Sequence, residues 1–400
     1  MTNQQEKVNS LTRQQEDSLL ERGFTRRHFG RISQLLAAGA ALPFFNEFTM
    51  AQEAEDRTAR RVGMNRSSMD PDAVRITSNE NPLGPCKEGL EAIYKVAPLG
   101  GRYQPTGETS DFVAMMAEKE GLKQNYITPY AGSSTPLHNS SCAFTSPTRS
   151  WTMADPGYGG GAPAFIGSKV VRVPLRKDMS HDVEAMIKAD PNAGAYYVCN
   201  PNNPSGTVTP HKDIEYLLAN KPKDAVVVVD EAYIHFSDTG KMSTDLVAKD
   251  QDIVVLRTFS KAYGMAGIRA GAALGRPDLL RKIAAYGGTG MLPITGMACA
   301  AASLRVKNLV AERHDINKRV REDVFELLQK KGVDYIPSET NFFMMTLKGM
   351  TGQQVNEAFA KEKVYIGRVW AAWPQRVRVS VGTMEEMAKF KRALEKVMNA

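Results

Sequence analysis

Three short runs in the middle of the chain are apolar at almost every position: AYYVCN (195–200), AVVVVD (225–230) and DIVVLRT (252–258). Runs of this length, rich in β-branched residues and without polar alternation, predict strands buried on both faces. Between the first two, HKDIEYLLAN (211–220) spaces its apolar residues as a helix does. Strands of this kind separated by helices predict a mostly parallel sheet sandwiched by helices. Ligands of such sheets collect beyond the carboxyl ends of the strands. Each run ends there in a polar cluster, NPNNPSG, DEAY or TFSK, so three strand ends converge on one candidate site. Towards the C-terminus the texture changes. Charged helices near 307–331 and 384–399 flank short strands near 340–346 and 376–381, which predicts a smaller α+β domain. No internal repeat and no low-complexity segment interrupts this pattern.

The N-terminal segment follows a different pattern. Arg26 and Arg27 precede a weakly apolar run from Ile32 to Phe45, too short and too rich in Ala and Gly to span a bilayer. A basic start followed by such a run is the form of a removable export signal. TRRHFGR resembles the core of the twin-arginine signals, which carry folded proteins out of the bacterial cytoplasm. Residues 1–51 are therefore expected to be a signal, cleaved after Thr49-Met50-Ala51, and the polar stretch 52–70 a linker. The expected destination is the periplasm.

Composition narrows the classes. A chain of 400 residues with 42% hydrophobic and 24% charged content has a large core. A net charge of +7, without long basic runs, points away from nucleic acid. Cys86, Cys142, Cys199 and Cys299 lie far apart and the six histidines form no ligand pair, so the spacing expected of a metal site is missing.

The strand ends carry specific chemistry. Lys261 follows a buried strand among small and apolar residues, where desolvation would favour its neutral, nucleophilic form. Thr258, Ser260 and Arg269 could hold a dianionic phosphate beside it. Asp230, closing its strand, could pair with a protonated pyridine nitrogen. Tyr233 and Asn203 could both reach a phenolic ring oxygen.

These motifs stand in a fixed order with others: NENPLGP (79–85), GRYQ (101–104), AGSS (131–134), DPGY (155–158), NPNNPSG (200–206), DEAY (230–233), LRTFSKAYGMAGIRAG (256–271) and VRVSVGT (377–383). From about Ile76 to the C-terminus the chain resembles the fold-type I, pyridoxal-phosphate-dependent aminotransferases of class I/II, and among them the histidinol-phosphate aminotransferase group. The resemblance implies an α/β fold with a large domain around a seven-stranded, mostly parallel sheet and a smaller α+β domain. The boundaries expected are 101–299 for the large domain, with 71–100 and 300–400 forming the small one.

By the same resemblance, Lys261 carries the cofactor as an internal aldimine and is the catalytic acid and base. Asp230 pairs with the pyridine nitrogen, Asn203 and Tyr233 contact the ring oxygen, and Tyr158 stacks on the ring. Ser133, Ser134 and nearby backbone amides, with Thr258, Ser260 and Arg269, hold the phosphate. Tyr103 reaches the cofactor of a neighbouring subunit, which implies a homodimer. Arg378 grips the substrate carboxylate, Arg368 receives an anionic tail, and Asn79 and Asn81 lie near the substrate. The implied reaction is ping-pong transfer of an amino group from an amino acid, or an amine like histidinol phosphate, to a 2-oxo acid. Other pyridoxal-phosphate reactions (oxidase, lyase or racemase) and a non-catalytic cofactor-binding protein remain alternatives.

Two departures from the family stand out. Pro136 follows Ser134-Thr135 where an acidic residue is frequent. GRVWAAWPQ (367–375) places Trp370 and Trp373 in a loop that is usually more polar.

Overall fold

The computed structural model describes residues 11–41, 72–103 and 107–399. The expected cleavage site and linker lie outside the described residues, as does Gln104 of GRYQ. Seven strands form the main sheet: β2 (Ile127–Tyr130), β3 (Ser150–Asp155), β4 (Val170–Pro174), β5 (Ala193–Cys199), β6 (Val226–Asp230), β7 (Ile253–Thr258) and β8 (Gly271–Gly275). Their order is β2-β8-β7-β6-β5-β3-β4. Pairing is parallel from β4 through β7, and β8 runs antiparallel to both β7 and β2. The helix expected at 211–220 spans His211–Asn220, and the three apolar runs are β5, β6 and β7.

Alternation along the central strands divides the core in two. Tyr196, Val198, Val227, Val229, Ile253 and Val255 join one buried cluster, while Ala195, Tyr197, Cys199, Val226, Val228, Val254 and Leu256 join the other. Every residue of β5, β6 and β7 is buried, which explains their unbroken apolar sequence. The register sets Cys199 opposite Asp230 and Asp230 opposite Leu256, so the three strands deliver their polar ends at one level.

A second core holds the smaller unit. Here β9 (Asp334–Ile336), β10 (Phe342–Thr346) and β12 (Arg376–Ser380) form an antiparallel sheet ordered β12-β10-β9. β1 (Val74–Ile76) pairs in parallel with β11 (Val364–Ile366). Val74, Ile76, Phe343, Val377 and Val379 pack with Val324, Phe390 and Leu394 from the helices Leu309–Lys330 and Met384–Asn399. The expected boundary at 299/300 falls inside one helix, Ile294–Arg305, whose Cys299, Ala300 and Leu304 belong to the large core. Lys87–Val96 packs on that helix, and its cap Cys86 is in the large core as well. Small residues permit this approach: a Cβ on Gly89 would lie 2.8 Å from Cys299 Sγ. All four cysteines are buried free thiols.

The N-terminal segment is part of the folded body. Helices Arg13–Glu21 and Arg26–Ala41 lie on it, with Leu19, Phe24, Phe29, Ile32 and Leu35 packed against Cys142, Ala162 and Ile166. Among the described residues no helix is long and apolar enough to cross a membrane.

One buried ionic group ties the sheet to its covering helix. Arg257 on β7 donates through Nε and Nη2 to Glu120 at 3.0 Å each, and through Nη1 to Glu231. Glu231 Oε1 also accepts from the backbone N–H of Ser243 at 2.7 Å. Removing Arg257 leaves two carboxylates uncompensated in the core, so Arg257→Ala should cost about 3–5 kcal/mol of unfolding free energy. Lys396→Ala, which breaks the exposed pair with Glu362, should cost less than about 1 kcal/mol. Urea unfolding of the two variants checks the contrast.

Candidate active site

A cavity of about 410 Å³ lies where the carboxyl ends of β5, β6 and β7 face the smaller unit. Asp230 enters it from the last position of β6 and is 3% exposed. Tyr197 Oη donates to its Oδ2 at 3.0 Å and the Ala232 N–H to its Oδ1 at 3.2 Å. Burial raises the Asp230 pKa to about 6, against these hydrogen bonds, so the carboxylate is ionised at neutral pH but held at a cost. Lys261 Nζ donates to the Ser78 carbonyl at 3.2 Å and lies 5.6 Å from the Tyr233 ring centre. Burial, helped by Arg378, lowers its pKa to about 8.

Tyr233 and its neighbours form the second wall. Its hydroxyl accepts from Asn79 Nδ2 at 3.1 Å and Asn203 Nδ2 at 3.5 Å. Burial keeps the phenol protonated, so its own O–H remains for a ligand. Asn79 adopts φ +54° and is fixed by Ser380 and Asn341: its N–H donates to Ser380 Oγ at 2.8 Å, and its carbonyl accepts from Asn341 Nδ2 at 3.0 Å. Arg378 spans the two units, with Nη1 donating to Asn203 Oδ1 at 3.0 Å and Nη2 to the Thr77 carbonyl at 2.8 Å. Arg368 also lines the cavity.

The opposite corner is built for an oxyanion. Thr258 Oγ1 and Arg269 Nη1 both donate to Ser260 Oγ, at 2.9 and 3.2 Å, which leaves the Ser260 O–H to donate elsewhere. Arg269 also donates to the carbonyls of Ala266 at 2.8 Å and Ala131 at 3.2 Å. Burial depresses its pKa, the cost of holding a cation where only neutral acceptors meet it. Gly132, at φ +96°, lets the backbone pass over this guanidinium; a Cβ would collide with it. Next comes the helix Ser134–Phe144. Its N-cap Ser133 makes no side-chain cap bond, and its first turn holds no acid, so the N–H groups and positive dipole end meet the cavity without an internal anion.

Of the residues expected from sequence, Ser133, Ser134, Tyr158, Asn203, Asp230, Tyr233, Thr258, Ser260, Lys261, Arg269, Arg368, Arg378 and Asn79 line this one cavity. Asn81 does not: its Nδ2 donates to the Ala262 carbonyl at 3.0 Å and its Oδ1 accepts from the Leu83 N–H at 3.1 Å, bracing the adjoining loop. Tyr103 is 83% exposed on the outer surface, away from the cavity of its own chain. Pro136 is the third residue of the helix at the oxyanion corner, where the first turn needs no N–H donor, and so leaves that helix intact. Sequence reasoning missed Tyr197, Ser380 and Thr77, which hold other site residues in place. Only Tyr197 carried a signal, two positions before Cys199 on the face that bears Asp230.

The donor set fits pyridoxal phosphate. A buried carboxylate, a lysine of lowered pKa, a phenol flanked by an amide and an oxyanion corner occupy one cavity in a doubly covered α/β sheet. This fold and site define a pyridoxal-phosphate-dependent transaminase. Residues 71–394 match the family model of aminotransferase class I and II, and the chain belongs to that family. It is 33% identical over 334 residues to histidinol-phosphate aminotransferase 1 of Dechloromonas aromatica, covering 81% of this chain and 90% of the relative. The corresponding enzyme of Nitrosococcus oceani is 32% identical over 333 residues, covering 82% and 89%. Histidinol-phosphate aminotransferase from Sinorhizobium meliloti, solved in complex with pyridoxal-5'-phosphate, has the same fold: TM-score 0.74, 24% identity, covering 86% of this chain and 94% of that one.

The lowered Lys261 pKa has a measurable sign. Below about pH 8 the amine is protonated and unreactive, and it becomes nucleophilic as pH rises through that value. In cofactor-free enzyme, acylation of Lys261, followed by peptide mass spectrometry, should reach half its maximal rate near pH 8. Exposed lysines should not do so until beyond about pH 10.

Proposed function

We propose that this transaminase takes its amino group from a donor bearing an anionic group, passes it to a 2-oxo acid, works as a homodimer, and acts after export to the periplasm. The observation that carries the substrate reading is the pair Arg368 and Arg378 in the same cavity as Lys261. Arg378 already spends two N–H groups on neutral acceptors, and a carboxylate is a stronger acceptor for both. Pyridoxal phosphate, when bound, supplies the electron sink that lets an α-proton leave and stores the amino group between half-reactions.

The chain's residues do the remainder. Lys261 Nζ, neutral in a useful fraction near pH 7–8, would accept the proton leaving the donor α-carbon and deliver it to the cofactor carbon that keeps the amino group, so that the amine is neutral again when the half-reaction ends. Asp230 would hold the protonated pyridine nitrogen of the cofactor with its fixed negative charge, and Tyr233 Oη would donate a hydrogen bond to the ring oxygen. Arg378 orients the donor so that its α-hydrogen faces Lys261. The names of the curated relatives support an amine with a phosphate tail as one donor; the arginine pair accommodates that tail or a second carboxylate equally.

Exposed apolar residues close together in sequence (Leu90, Tyr94, Leu99 and Tyr103) support the dimer. Arg26 and Arg27, exposed on a docked helix, support export by the twin-arginine machinery. Sedimentation and the N-terminal mass of protein recovered from the periplasm check these two points.

The central test is the visible absorbance of the purified enzyme, with Lys261→Ala as control. Adding one amino donor should bleach the bound-cofactor band, and a 2-oxo acid should restore it; ammonia or peroxide release instead would overturn transamination. Arg378→Ala should raise KM for a carboxylate donor about tenfold to a hundredfold through loss of two charge-assisted hydrogen bonds. A raised KM with little change in bound cofactor is the expected pattern.

A further inference from the structure

The segment that reads as a leader grips the cofactor-phosphate helix from its far end. Arg22, between the two N-terminal helices, donates through Nη2 to the carbonyls of Cys142 and Thr145 and through Nη1 to Tyr286 Oη at 2.9 Å. Cys142 lies in the last turn of the helix Ser134–Phe144, and Thr145 is its C-cap. That helix begins at Ser133 and Ser134, the oxyanion corner of the cavity. A guanidinium therefore meets the negative end of a dipole whose positive end faces the phosphate position.

The docking is extensive. Leu19 and Ile32 are completely buried, and Phe24 and Phe29 nearly so, against Cys142, Ala162 and Ile166. A Cβ on Gly167 would lie 2.8 Å from the His28 ring, so helix and loop are in van der Waals contact. The Arg22 guanidinium also stands 5.6 Å from the Phe24 ring centre. Gln15 Nε2 donates to the Ala285 carbonyl at 2.5 Å, fastening the segment to the end of the helix Pro277–Ala284. Asn139 ties that same region back to the phosphate helix by donating to the Ile283 and Gly287 carbonyls at 3.2 and 2.9 Å.

We propose that residues 12–36 form an intramolecular clasp that strengthens cofactor capture, with Arg22 as a positioning residue acting through the helix Ser134–Phe144. The clasp holds the C-terminal carbonyls of that helix, so its N-terminal amides stay aimed at the phosphate. In an exported precursor this places cofactor capture in the full-length chain, before any processing. The inference rests on the oxyanion corner being the phosphate site of the reading above.

The test uses the full chain, stripped of cofactor, and compares wild type, Arg22→Ala, Arg22→Lys and Ile32→Asp. Each is titrated with pyridoxal phosphate and, separately, with pyridoxal, which lacks the phosphate; thermal melting of each cofactor-free protein reports folding. Arg22→Ala and Ile32→Asp should weaken pyridoxal phosphate binding roughly three- to tenfold and leave pyridoxal binding unchanged, with Arg22→Lys recovering part of the loss. Equal weakening of both ligands, or of neither, overturns the clasp. A wild-type protein that does not prefer the phosphorylated ligand overturns the phosphate-site reading itself. Whether the chain is exported affects none of these outcomes.

Discussion

The active site depends on keeping one carboxylate ionised at the end of β6, a strand whose other residues are all valine. Asp230 sits at the last position of β6, where the strand is still fully buried. Its two oxygens are satisfied by Tyr197 and the Ala232 N–H, yet burial still raises its pKa to about 6. A group held at such a cost is retained where a positive partner arrives with the ligand. Lys261 faces the mirror-image problem: its cation is destabilised by the same burial, and by Arg378. The cavity thus lowers one pKa and raises another, leaving both groups poised near neutrality.

Strand alternation lets the same segments serve two purposes. Asp230 and Thr258 point with the cluster that lines the cavity, whereas Glu231 and Arg257 pack behind the sheet with Glu120. In DEAY and LRTFSK, therefore, adjacent residues divide between chemistry and anchorage. The buried Arg257 group locks the turn after β6 to Ser243 and to the helix Glu108–Glu120, so Asp230 and Tyr233 are presented from a braced loop. Rigidity at this point matters because hydrogen-bonded catalytic groups lose effect with displacements well under a bond length or two.

Sequence made the large unit legible because its strands are buried on both faces and end in polar clusters; these two signals located β5, β6, β7 and the cavity beyond them. The oxyanion corner was readable as hydroxyls and an arginine at short spacing. What escaped were contacts made across the chain: Thr77 and Ser380 reach site residues some 300 positions away, and no local pattern encodes such a meeting. The unit boundary was hidden for a related reason. Ile294–Arg305 is apolar around most of its circumference, with Gly296, Ala298, Ala300 and Ala301 all buried, so it inserts into the large core although neighbouring sequence belongs to the small one.

The N-terminal segment shows where composition and structure diverge. Its short apolar run and arginine pair are the features of a transient leader, but Phe24, Phe29, Ile32 and Leu35 also form one continuous apolar stripe. A stripe of that kind, on one helix and the turn that leads into it, is stable only when covered, and Cys142, Ala162 and Ile166 provide the cover. The exposed face keeps Arg26, Arg27 and Arg31 in solvent, so burying the apolar face does not hide the basic one. Docking and display are thus compatible in one helix. With the phosphate placed as proposed above, the helix Ser134–Phe144 would be held at both ends: by the ligand's charge at Ser133 and by Arg22 beyond Phe144. A helix dipole favours an anion at its N-terminus and a cation at its C-terminus, and because both ends belong to one rigid element, the N-terminal segment and the ligand would favour the same placement of that helix.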